Sequence, residues 1–107
     1  MKRILFLFQM CILVGVSSEA SARTDCQVAK ILNIQLEGEK IMYFQEGAPW
    51  RTLGYVNKND GTKERYAALL AAQMAGKKVV VGYKENGYDC NVTNYGVPAF
   101  IVRTFNE

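Results

Sequence analysis

The chain of 107 residues has no histidine, a single tryptophan and two prolines, and its three serines all fall at positions 17, 18 and 21. These absences remove most catalytic chemistry. Without imidazole there is no histidine base to activate a hydroxyl, thiol or water, and none of the nitrogen ligands that zinc and copper sites draw on. No glycine-rich phosphate loop occurs either, because Gly82 and Gly87 fit neither phosphate-binding fingerprint. Charge is scarce as well, at 13 basic against 10 acidic residues. Beyond residue 22 only Lys77 and Lys78 are adjacent basic residues, so there is no electrostatic footprint for nucleic acid or for a polybasic membrane contact.

Long apolar runs are missing too. The longest, residues 4–16, is about 13 residues, short of the roughly 20 that span a bilayer. Lys2 and Arg3 precede it and Ala20-Ser21-Ala22 follows, which is the layout of an export signal cleaved after Ala22. Cleavage would remove Cys11 and every serine, leaving residues 23–107 as one small domain. We therefore expect a secreted or periplasmic protein with no membrane insertion once the signal has gone. Two cysteines remain, Cys26 and Cys90, and an oxidising compartment pairs them. They lack the C-x-x-C spacing of a redox-active pair, so the expected bridge is structural, worth about 4 kcal/mol for a loop of this length.

The clearest local structure is residues 62–84. Thr62 is placed to cap a helix, Glu64 lies in its first turn, and Tyr66, Leu69, Leu70, Gln73 and Met74 recur at three- and four-residue spacing. Gly76 ends it, and Val79, Val81 and Tyr83 then alternate with Val80, Gly82 and Lys84 as a strand. Upstream, residues 28–36, 40–45 and 50–57 read as three strands, with Gly54 marking a bulge or bend in the third. Downstream, Asn86-Gly87 reverses the chain into an irregular loop, and residues 99–105 form the last strand.

The predicted order is thus β-β-β-α-β-β, mainly β with one helix. This is the order of an OB-fold-like five-stranded, partly open barrel with its helix between the third and fourth strands. Tyr66, Leu69, Leu70 and Met74 would plug one end. A meander sheet with a helix on one face shares the order and is the alternative.

Cys26, Leu69-Leu70-Ala71-Ala72, Gly76-Lys77-Lys78-Val79, Tyr83 and Cys90 carry a resemblance of layout. The chain resembles small exported bacterial OB-fold proteins similar to the B subunits of pentameric AB-type toxins, of the subtilase-cytotoxin and pertussis-like kind. The resemblance implies export, an OB fold and a ring-forming homo-oligomer, a pentamer, that binds a glycan or a protein. It carries over no sugar pocket, since toxin B subunits tend to be longer and residues 23–107 hold no serine.

Carboxylates occur near one another as Glu37 and Glu39, Asp60 and Glu64, and Glu85 and Asp89, each suited to a solvated turn or helix start. A two-carboxylate glycosidase needs a deep cleft that so short a chain has little room for. We therefore expect no catalytic residue, no metal and no cofactor. Aromatics and amides remain: Trp50 with Arg51 at the start of the third strand, and Tyr88, Asn91, Asn94 and Tyr95 in the irregular loop. An aromatic face against sugar C–H groups, with amides for hydroxyls, suits a glycan, and the same residue types suit a protein interface. The expected function is a non-enzymatic exported binding domain, with a monomeric periplasmic accessory or inhibitor protein as the alternative.

Overall fold

A computed structural model describes residues 23–106; the segment expected to be an export signal lies outside the described residues. The elements in order are β1 (Thr24–Asp25), β2 (Ala29–Glu37), β3 (Lys40–Gln45), β4 (Trp50–Tyr55), α1 (Thr62–Ala75), β5 (Lys78–Tyr83) and β6 (Ile101–Thr104). The chain is mainly β with one helix, as its patterning predicts. The difference is β1, a two-residue strand beyond the five expected.

β1 and β2 are two pieces of one N-terminal run that lie along the same edge of β5. Thr24 and Asp25 pair with Tyr83 and Gly82, while Ala29 and Lys30 pair with Val79 and Lys78. Cys26 sits in the break, its N–H donating to Val81 O at 2.9 Å. From Ile31 onward β2 pairs with β3, with a register shift between Ile31 and Asn33, and β3 pairs with β4. β2 therefore belongs to two ladders, which curls the sheet instead of leaving it flat. β6 covers the other edge of β5. All pairings are antiparallel and the ladder does not close. Between β4 and the chain entering β6, a single backbone bond, Ala99 N–H to Leu53 O at 2.9 Å, spans the gap.

β3 illustrates why both faces of a short strand can be apolar. Ile41 and Tyr43 point into the core, while Met42 on the outer face is buried as well. β5 has strand neighbours on both edges and is covered on both faces: Val79, Val81 and Tyr83 on one are fully buried, and Val80 on the other is 9% exposed. The core gathers Ile31, Ile41, Tyr43, Leu53, Leu69, Ala72, Val79 and Val81 from both ladders and the helix. Gly54 does serve a bulge, as its position suggested: Ile41 pairs with Gly54 and Met42 with Thr52, so Leu53 is the extra residue. It also serves a close approach, since a Cβ there would collide with the Thr62 side chain. The missing side chain lets the helix start lie against the sheet.

Two expectations for the helix change. Thr62 does not cap it; Gly61 holds the cap position and Thr62 is fully buried in the first turn. Asp60 takes over part of the capping, accepting from Thr62 Oγ1 at 2.7 Å and Thr62 N at 3.1 Å. Those bonds hold the Asp60 carboxyl below its ordinary range. Met74 does not plug the barrel but is 80% exposed. The buried line is Thr62, Leu69 and Ala72, with Tyr66 packed beside it. At 3.6 residues per turn Met74 falls about 140° round the helix from Leu69, outside the arc that Thr62, Tyr66, Leu69 and Ala72 occupy. At the other end, Gly76 adopts φ 69° and its N–H donates to Gln73 O, a left-handed stop of the kind the sequence predicted.

Candidate functional site

Cys26 and Cys90 form a disulfide, Cα to Cα 5.6 Å, that ties the break between β1 and β2 to the loop after β5. This fits an oxidising environment. Among the described residues no helix is long and apolar enough to cross a membrane.

Around the disulfide, β4 sends alternate side chains to opposite sides. Arg51 points inward and is 2% exposed. Its Nε and Nη2 both donate to Cys90 O, at 3.0 and 2.7 Å, and Nη1 donates to Gln45 Oε1 at 2.8 Å. Gln45 is buried in turn, donating to Ala29 O and Val79 O at 3.2 and 3.1 Å. Arg51 is thus held inside the fold by three hydrogen bonds to Cys90 O and Gln45 Oε1.

Tyr88 is likewise drawn inside. Its ring stacks on Tyr83 at 3.7 Å with planes 6° apart. Tyr83 donates to Thr52 O at 2.9 Å, which leaves Tyr43 to donate to Tyr83 at 2.8 Å, since each hydroxyl has one proton. Burial raises all three phenols, and Tyr43 is pushed up to about 12. The Arg51 charge opposes the rise at Tyr43 and Tyr88. Tyr88, expected on a ligand face, is 7% exposed with its ring against Tyr83, and among the described residues its buried hydroxyl has no hydrogen-bond partner.

The outer face of β3 and β4 is where the remaining candidates gather. Phe44 and Trp50 are cross-strand partners, rings 5.4 Å apart and tilted by 38°. Farther along, Thr52 Oγ1 donates to Asn94 O at 2.7 Å and Tyr55 OH to Tyr95 O at 3.2 Å, strapping the loop onto this face. Asn94 folds the strap locally, its Oδ1 accepting from Gly96 N and Val97 N at 2.8 Å each. That leaves the Tyr95 ring 62% exposed, with Lys40 Nζ 5.2 Å above it. Asn91 is exposed at a different place, on a cavity of about 270 Å³ that it shares with Gln27, Glu46 and Arg51.

The structure therefore joins Asn94 and Tyr95 to the outer face that carries Trp50, joins Asn91 to the disulfide end, and withdraws Arg51 and Tyr88. Phe44, Lys40 and Tyr55 belong to the outer face and were missed. Alternation along β3 and β4 puts them there once the hairpin register is known, but the Leu53 bulge hides that register. Among the described residues no three Asp, Glu, Cys or His side chains gather closely enough to hold a metal ion. Comparison with protein-family models, curated proteins and solved structures finds no match to this chain.

Proposed function

We propose that this is a non-enzymatic, exported binding domain, secreted or periplasmic, that holds a glycan against the outer face of β3 and β4. The observation that carries the proposal is the pairing of half-buried Phe44 and Trp50 with the exposed Tyr95 strap on one face. On OB-like barrels this face and its neighbouring loops are a recurrent place for oligosaccharides and oligonucleotides, a fold-level analogy. The low net charge disfavours the oligonucleotide. Aromatic faces supply C–H contacts, and the Lys40 ammonium and Tyr55 hydroxyl supply polar ones.

The test is a broad glycan array probed with disulfide-intact protein, beside Tyr95→Ala and Trp50→Ala. Binding that both substitutions weaken while circular dichroism stays unchanged supports the proposal; silence across the array removes the sugar reading. A toxin B-subunit-like ring belongs to the same proposal, because three strands, β1, β4 and β6, each pair with one neighbour among the described residues and leave an edge for another copy. Light scattering checks it: a pentamer supports the ring, and a strict monomer supports an accessory or inhibitor protein that docks on another polypeptide.

A further inference from the structure

A second surface lies apart from that face, where the start of β2, the end of α1 and Phe105 after β6 meet. A groove of about 630 Å³ there has Val28, Ala75 and Phe105 as apolar lining and Lys30, Lys77 and Lys78 as its charged groups. Among the described residues no carboxylate lines it. Lys30 and Lys78 are held directly opposite each other in the antiparallel ladder, a placement that costs free energy for like charges. The ion pairs among the described residues are Arg23 with Asp25 and Arg65 with Asp60, so none relieves these lysines. The C-terminal end of α1 brings roughly half a negative charge, too little to balance three cations. Of the apolar lining, Val28 is 41% exposed.

We propose that this groove docks an acidic segment of another polypeptide, which inserts one apolar side chain between Val28 and Phe105 and sets flanking carboxylates on Lys30, Lys77 and Lys78. A concave apolar floor suits an inserted side chain better than a flat bilayer, and it gives a free inorganic anion nothing to bury. The uncompensated lysines select acidic flanks.

Two capped pentapeptides test it, Asp-Glu-Phe-Glu-Asp and its amide counterpart Asn-Gln-Phe-Gln-Asn, titrated into disulfide-intact protein and followed by amide chemical shifts. The acidic peptide should shift Val28, Gly76 and Lys78 and bind at least about tenfold tighter than the amide peptide, with the difference shrinking as salt is raised. A Lys30→Gln/Lys78→Gln variant should lose that preference while melting at or above the parent temperature, because the opposed charges are gone. Equal binding of the two peptides, or no saturable shift at these residues, overturns the proposal. So does binding of phosphatidylglycerol vesicles or inorganic phosphate at the same lysines without binding of the acidic peptide.

Discussion

The two ends of β4 are built on different chemistry. At one end Gly54 receives Thr62, and behind it Leu69 and Ala72 close the barrel with apolar volume. At the other end, three residues earlier, Arg51 is locked to Cys90 and Gln45, beside a stack of tyrosines and a disulfide. The Gly54–Thr62 contact is one of shape between residues near in sequence, while the helix also reaches Leu32 O through Gln73 and Phe100 O through Arg65, 41 and 35 residues away. The disulfide end joins positions 39 apart by hydrogen bonds that each depend on the others. A barrel this small can be sealed by packing where a helix is at hand, and must be sealed by polar and covalent ties where only a loop is.

The contrast can be broken most severely at the disulfide. Cys26→Ala/Cys90→Ala should lower stability by about 4 kcal/mol. Hydrogen exchange should rise first in residues 84–100 and only later in α1; uniform loss would mean that the two ends are not distinct. Arg51→Met leaves the Cys90 carbonyl and Gln45 without their donor inside the fold, and should cost about 3 kcal/mol in urea unfolding. A loss below about 1 kcal/mol would show that the loop is held by the disulfide alone.

Alkali acts on the same end. The folded phenols hold their protons more tightly than unfolded ones, so their contribution is fully present below pH 10 and is lost as pH climbs from 10 toward about 12. Tyrosinate absorbance and far-ultraviolet circular dichroism should change together there. Tyrosinate forming near pH 10 at all positions with the fold intact would refute the buried cluster.

At the helix end the effects should be smaller and relieved by shape alone. Gly54→Ala should cost about 2 kcal/mol through its collision with Thr62. Adding Thr62→Ala should recover part of that loss in a double-mutant cycle, whereas simple additivity would place the strain elsewhere. Met74→Gln, at an exposed position, should change the melting free energy by less than about 0.5 kcal/mol.

Much of the helix end is legible in the sequence. Alanine-rich spacing from residue 62, the stop at Gly76 and the alternation of Val79, Val81 and Tyr83 each follow from local geometry. Met74 follows Leu70 at four-residue spacing yet faces solvent, because the buried arc is centred on Leu69, about 140° away round the helix. The disulfide pairing was legible by count, since only two cysteines follow residue 22. The candidate site was legible in part. Trp50, Asn94 and Tyr95 do meet at the outer face of β4, but Arg51 and Tyr88 are composed like surface residues and are buried. Nothing near them in sequence announces Gln45, Tyr43 or Tyr83 as partners.

Composition and periodicity, then, determined by themselves that this chain is mainly β with one helix, that the helix runs directly into a strand, and, given the expected loss of Cys11 with the export signal, that Cys26 pairs with Cys90. Those follow from interactions within a few residues, or from having no other choice. Tertiary structure alone decided that β2 serves two ladders, that an arginine and three tyrosines face inward, and that two lysines stand opposed beside an apolar groove. Register between strands distant in sequence sets all three, and a bulge of one residue is enough to send a side chain to the other face.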